Sequence, residues 1–337
     1  MNSLQRVIAT LQGLPVDRKP VTMTLCLYGA RLINCPLEQY FIDKDAYCRG
    51  QKAVREAFDP DILFGPFAFA QIGAAFGSQV RFFANQAPNI KRSAIQSIAQ
   101  LDTLHLPDPD KNPELRYIEE SIASMVTEHG HEVPVAAIFP NPIDLPALIM
   151  GLDAWMETVL FDPSGAARML DFITPFFLDF AGRLFNHGIA FMAFPTVFAS
   201  PSVLPRDMVR QFTLPALQKI LAQLQKPVVL HHGGAPILQN LDLLRDLPGV
   251  AAMAVDYKDD LDQSRAAIGP DLTLLGGLTG PSLDTKSAAE VGAACLKILK
   301  NRQQDPHFIL YTCGADIPLS TPEENILAIR RSVEREV

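Results

Sequence analysis

Eight short apolar runs recur along this chain, at residues 21–26, 61–65, 134–139, 190–194, 227–231, 250–256, 272–276 and 308–313, and each is followed by at least one segment of helical spacing. A strand that is apolar at successive positions, rather than at every second one, is buried on both faces. That is the condition of a parallel sheet covered by helices. Eight such units predict an α/β fold, a (β/α)8 TIM barrel, with residues 1–337 as a single catalytic domain. An open doubly wound sheet is the runner-up. Against it, no run is followed by G-x-G-x-x-G or G-x-x-x-x-G-K-[ST], so neither dinucleotide nor P-loop chemistry has support.

Helices are predicted over 36–58, Pro113–His129, 145–156, 165–187, 205–224, Leu261–Ile268, 288–299 and 322–334. The last opens with Thr321-Pro322-Glu323-Glu324, a capping box with proline at the first helical position. Residues 67–133 read as an elaborated insertion between the second and third strands, with a short extra strand at 79–83.

A net charge of −8 and the lack of any basic run argue against nucleic-acid binding. The N-terminus has no basic-then-apolar signal pattern, and no apolar run reaches the roughly 20 residues of a membrane span. A soluble, cytoplasmic protein with no membrane contact is expected. Cys26, Cys35, Cys48, Cys295 and Cys313 are scattered and odd in number, which suits free thiols or metal ligands better than disulfides.

A barrel of this kind gathers its working residues at the carboxyl ends of its strands. Those ends carry Cys26 with Tyr28, Pro66 with Phe67, Phe139 with Asn141, Phe194, His231 with His232, Asp256 with Tyr257, Gly276 with Gly277, and Cys313. Each has a plainer reading: a strand cysteine packs as a small hydrophobe, a histidine hydrogen-bonds the rim, an aspartate caps the next helix. Asp256, His232 and Tyr28 are the candidate catalytic residues. His231 and Cys313 are the candidate metal ligands. An imidazole nitrogen and a thiolate suit zinc, which needs about three protein ligands at a catalytic site. A third has to come from His232, Asp256, Cys26 or another acidic residue. Phe64, Phe67, Phe139, Phe194 and Phe198 are candidates for an apolar pocket, although phenylalanines more often fill cores.

The segments Leu230-His231-His232-Gly233-Gly234, Ala254-Val255-Asp256, Leu274-Leu275-Gly276-Gly277-Leu278 and Tyr311-Thr312-Cys313-Gly314-Ala315-Asp316-Ile317-Pro318 with Thr321-Pro322-Glu323-Glu324-Asn325-Ile326, in this order, resemble the uroporphyrinogen decarboxylase superfamily. They are closer to its corrinoid-dependent methyltransferase branch. In the thiol methyltransferases of that branch, zinc sits on His-x-Cys at the fifth strand and on a cysteine at the eighth. The resemblance places His231 and Cys313 on two of these positions, with Gly233 where the middle cysteine stands. It implies a zinc-dependent enzyme moving a methyl group between a small methylated substrate or thiol and a corrinoid (cobalamin). The chain has no Asp-x-His-x-x-Gly signature, so the corrinoid is expected on a separate corrinoid-binding protein. The decarboxylases hold a polycarboxylate with arginines after the first strand. Here that segment is Cys26-Leu27-Tyr28-Gly29-Ala30-Arg31, with one arginine. Two alternatives stay open: a metal-free decarboxylase-like lyase using Asp256, and a non-catalytic barrel binding a small molecule or the corrinoid protein.

Overall fold

The computed structural model describes residues 1–334. Its strands are β1 (Val21–Thr22), β2 (Leu63–Phe64), β3 (Gln79–Arg81), β4 (Asn89–Arg92), β5 (Val135–Ile138), β6 (Phe191–Pro195), β7 (Val228–His231), β8 (Val250–Ala254), β9 (Thr273–Thr279) and β10 (Phe308–Cys313). Eight of them form one sheet in the order β1-β10-β9-β8-β7-β6-β5-β2, all neighbours parallel. β3 and β4 make a separate antiparallel hairpin. This is the expected (β/α)8 barrel, with helices on its outside and the strands' inner faces around a central axis.

The two ends of the sheet, β1 and β2, are joined through one residue, by its backbone and its side chain. The Asp61 N–H donates to the Val21 carbonyl (2.8 Å), and the Val21 N–H donates back to Asp61 Oδ2 (2.8 Å). The carboxylate is fully buried and also accepts from Ser3 Oγ (2.9 Å), Arg6 Nη1 (2.7 Å) and Arg18 Nη1 (2.6 Å). Arg6 lies on the helix Ser3–Leu11, whose Val7 packs among Ile62, Phe191, Val229 and Ile309 inside the barrel. The N-terminal helix therefore closes the end of the barrel opposite the strand carboxyl ends.

Strand extents differ from expectation where the chain leaves the ladder early. Only Val21–Thr22 pairs in the run 21–26; the chain then turns into the short helix Tyr28–Leu32. The predicted helix 36–58 divides into Leu37–Tyr40 and Lys44–Phe58, because the Asp43 side chain accepts from the N–H groups of Asp45 and Ala46 and starts a new helix. The insertion after β2 contains the helix Phe69–Ala75 and the β3–β4 hairpin. The helix Pro113–His129 is a covering helix of the barrel: a Cβ on Gly65, just after β2, would stand 2.6 Å from Ile122 Cγ1, so the two are in direct contact. No helix among the described residues is long and apolar enough to cross a membrane.

Candidate active site

Side chains of successive strand residues alternate between inside and outside. On the inner face stand Phe191 and Ala193 of β6, Val229 and His231 of β7, Ala252 and Ala254 of β8, Leu275 of β9, and Ile309, Tyr311 and Cys313 of β10. Barrel interiors are ordinarily filled by bulky branched side chains. Here Ala193 and Ala254 leave space, and a cavity of about 310 Å³ opens at the carboxyl ends of the strands. Phe64, Phe67, Phe69, Phe191, Ile138 and Leu275 form much of its wall. Among the described residues no Asp, Glu, Lys or Arg lines it; Thr24, His231 and Tyr311 supply its polar side chains.

His231 and Tyr311 meet across two intervening strands, with His231 Nε2 3.0 Å from the Tyr311 hydroxyl. The residues beside them in register are Ala254 next to His231 and Gly277 next to Tyr311, which leave the line between the rings open. His231 Nδ1 accepts the Gly233 N–H (3.0 Å). The neutral ring's proton is therefore on Nε2 and is donated to the tyrosine oxygen. Tyr311 keeps its own proton, whose protein acceptors are farther away: Thr24 Oγ1 at 3.3 Å and the Gly314 carbonyl at 3.5 Å. Burial, with His232 alongside, holds His231 well below its ordinary value, and burial raises the Tyr311 phenol. The pair is uncharged at neutral pH.

His232 lies beside His231, with ring centroids 4.1 Å apart, but is fully buried and does not line the cavity. Its Nε2 accepts the Gly314 N–H (3.1 Å), which ties the end of β7 to the residue after Cys313. Its Nδ1 is 3.3 Å from Asp256 Oδ2 and 3.0 Å from Gly234 N. Burial pushes His232 down to about 4 despite the opposing Asp256 charge. Asp256 is buried and accepts the Lys258 N–H (3.0 Å). It does not cap the following helix, which takes its cap from Asp260. Tyr28 is fully buried, donates to the Thr321 carbonyl (2.7 Å), and does not line the cavity. Cys313 faces inward but is fully buried, with Sγ taking the Gly277 N–H (3.3 Å); burial pushes its thiol up to about 12. Cys26 is a buried thiol 3.8 Å from the Gly65 carbonyl.

The structure thus brings His231, His232 and Asp256 side by side and leaves Tyr28 elsewhere. Of the five phenylalanines expected at a pocket, Phe64 and Phe67 line the cavity. Phe139, Phe194 and Phe198 pack into the core outside the barrel. The residue that strand-end reading passed over is Tyr311. It stands two positions before Cys313 and so shares its inward face, a signal present in the sequence.

The family model for uroporphyrinogen decarboxylase (URO-D) matches residues 2–336. The chain belongs to the uroporphyrinogen decarboxylase family. It is 23% identical over 330 residues to the methylcobamide:CoM methyltransferase MtaA of Methanosarcina barkeri, covering 96% of this chain and 95% of the relative. It is 26% identical over 265 residues to the uroporphyrinogen decarboxylase of Thioalkalivibrio sulfidiphilus, covering 74% and 72%. Among solved structures, a methyltransferase from Methanosarcina mazei superposes with a TM-score of 0.84 at 20% identity, over 99% of both chains.

Within this family fold, a zinc site on His231 and Cys313 would need both donors free and a third beside them. His231 uses one nitrogen for Gly233 and the other for Tyr311, and the Cys313 thiol is sealed behind the cavity wall. Among the described residues no group of three or more His, Cys, Asp or Glu side chains is placed to hold a metal. The donor set in this arrangement does not fit tetrahedral zinc.

Gly233 shows why a cysteine there would not restore such a site. Its φ is +70°, and a Cβ would lie 2.8 Å from Val197 Cγ2 and 2.9 Å from the Val197 backbone nitrogen. Backbone cannot yield as a flexible side chain does, so Gly233→Cys is expected to cost about 1–3 kcal/mol. It is also expected to gain no zinc. Denaturant unfolding and metal analysis of the variant check this; a variant as stable as wild type with one zinc per chain would refute it.

Buried carboxyl groups bind the rim loops together. Asp144 accepts from the Val197 and Phe198 N–H groups (both 3.2 Å), and Asp259 from Ile237 (3.0 Å) and Leu238 (3.2 Å). Asp316 accepts from Leu27 (3.1 Å) through Oδ1, while its buried Oδ2 has no partner. Burial raises Asp316 from 3.8 to about 7. A carboxyl raised on folding favours the folded state most while protonated, and that contribution is lost as pH rises from 3.8 to about 7. Asp316→Asn mimics the neutral acid. Its stability relative to wild type is expected to climb across this window and level off above it, as read from paired unfolding curves at pH 4.5, 6 and 8. A difference that stays constant with pH would overturn the assignment.

Proposed function

We infer that this chain is a methyltransferase that moves a methyl group between a small molecule in the barrel cavity and a corrinoid carried by a separate protein. The observation that carries this reading is the likeness to methylcobamide:CoM methyltransferases over 96% of the chain. The uncharged cavity weighs against the decarboxylase alternative. A porphyrinogen bearing several carboxylates would meet no guanidinium there, and Arg31 is engaged with the carbonyls of Leu319 and Thr321 at the rim. The corrinoid supplies cobalt as methyl donor or acceptor when its carrier protein docks.

The chain's own residues do the rest. The aromatic wall binds the small molecule and excludes water. The barrel rim, tied by Asp144, Asp259 and Asp316, fixes the mouth. Tyr311, which accepts from His231, keeps a proton to give at the edge of the cavity. No step of this reading passes through a metal on the chain.

The test combines the purified chain, a reduced corrinoid protein and a panel of methylated compounds, followed through the visible absorbance of the corrinoid. A spectral change that requires both the chain and a methylated compound is expected. No change with any compound, together with coproporphyrinogen formed from uroporphyrinogen, would replace this reading with the decarboxylase one.

A further inference from the structure

We propose that the cavity takes an uncharged, largely apolar aromatic methyl ether, with its oxygen on the Tyr311 hydroxyl, and that it rejects carboxylates and sulfonates. This deepens the methyl-transfer reading and rests on it for the ether's reactive role.

The cavity's volume of about 310 Å³ suits a single substituted ring. Phe64, Phe67, Phe69 and Phe191 line it, and the rings of Phe67 and Phe69 sit edge to face at 4.5 Å between centroids. Such a wall rewards an apolar ring and offers a charge nothing. The polar atoms are concentrated on one side. His231 donates to Tyr311, which leaves the tyrosine its own proton to give, with only the long contacts to Thr24 Oγ1 and the Gly314 carbonyl competing for it. Thr24 Oγ1 lies 3.3 Å from that hydroxyl and shares its edge of the cavity. One donor site matches one acceptor atom.

An anion would find no cation on the wall. Behind the wall it would meet Asp256, which faces His232 and not solvent. An anion entering would be unpaired and near a buried carboxylate, the costliest arrangement for a charge. A cation would find aromatic faces, but among the described residues no carboxylate lines the cavity, and the Tyr311 hydroxyl at its edge has a proton to give.

The experiment is calorimetric titration of the purified chain with three probes of one shape: 4-methoxybenzyl alcohol, 4-methoxybenzoate and 4-methoxybenzylamine. The alcohol is expected to bind at least about 30-fold more tightly than the benzoate, given the cost of an unpaired buried charge. It is also expected to bind more tightly than the amine. Equal or tighter binding of either charged probe overturns the proposal, as does no binding of any of the three at millimolar concentration. A second pair isolates the oxygen. Methoxybenzene is expected to bind roughly 2- to 10-fold more tightly than ethylbenzene, the range of one hydrogen bond. Tyr311→Phe is expected to abolish that preference while leaving ethylbenzene unchanged. A preference that survives in Tyr311→Phe overturns the role given to Tyr311.

Binding and transfer fail separately. If the neutral ether binds and its methyl group never reaches the corrinoid, the transfer reading falls and the cavity assignment stands. If 2-mercaptoethanesulfonate, an anionic thiol, is methylated instead, the cavity assignment falls and the transfer reading stands.

Discussion

Asp61→Ala is expected to destabilise the protein by about 3–5 kcal/mol, the loss seen when one partner of a buried charge cluster is removed. The carboxylate is fully buried between two guanidinium groups, Arg6 Nη1 at 2.7 Å and Arg18 Nη1 at 2.6 Å, whose own side chains are nearly buried. Alanine would remove the carboxylate that Arg18 pairs with and leave Arg6 with Asp17 alone (Nε–Oδ1 2.7 Å), the two guanidinium groups then facing each other across the gap. It would also leave the Val21 N–H and the Ser3 hydroxyl without their acceptor. These groups sit where β1 and β2 meet, so the cost falls on barrel closure and not on one contact. Asp61→Asn keeps an acceptor oxygen and is expected to be less damaging. Denaturant unfolding of both variants measures the effect. A loss below about 1 kcal/mol for alanine, in the range of an exposed ion pair, would mean that the cluster does not close the barrel.

The second large effect is on chemistry. Tyr311→Phe is expected to lower the rate of methyl transfer from an aryl methyl ether by about 10²–10³, the usual consequence of removing one preorganised donor at a developing oxyanion. When the methyl–oxygen bond breaks, the electron pair stays on the oxygen, and Tyr311 is the side-chain hydroxyl placed to stabilise it. The phenol is raised by burial, so it stays protonated and acts as a hydrogen-bond donor throughout the accessible pH range. His231→Ala acts through the tyrosine: it removes the group that orients the hydroxyl and is expected to cost less than Tyr311→Phe. Single-turnover rates with the corrinoid protein, on both variants, distinguish the roles. A Tyr311→Phe enzyme with wild-type transfer rate would remove Tyr311 from the mechanism.

His231 carries two attributes that strand-end reading could see, its type and its place. Its partner could not be read the same way. The sequence makes Cys313 the conspicuous residue of β10, yet the structure seals that thiol and turns Tyr311 to the cavity. His232 and Asp256 also sit where strand ends predict. Their contact with each other is a tertiary feature: β7 ends at His231, and the His232 ring turns in beside the His231 ring, centroids 4.1 Å apart, where its nitrogens reach Asp256 and the Gly314 N–H. The resemblance that places zinc at this site brings along a position, Gly233, whose surroundings have no room for a side chain.

The sequence by itself determined the barrel. Runs of continuous apolar residues alternating with helical spacing allow few other buried arrangements, and these are local patterns that do not depend on distant residues. It also determined which residues lie at the strand ends, because position along a strand is read directly from the chain. Only the tertiary structure decided which of them meet. The 3.0 Å approach of His231 to Tyr311, 80 residues apart, depends on the small side chains in the strands between them. The cavity exists because Ala193 and Ala254 fail to fill the space that neighbouring strands enclose. Closure at Asp61 likewise joins segments separated by 55 residues at Arg6 and 40 at Val21. Distances across a barrel are set by the summed volumes and register of several strands at once, and no single stretch of sequence carries that sum.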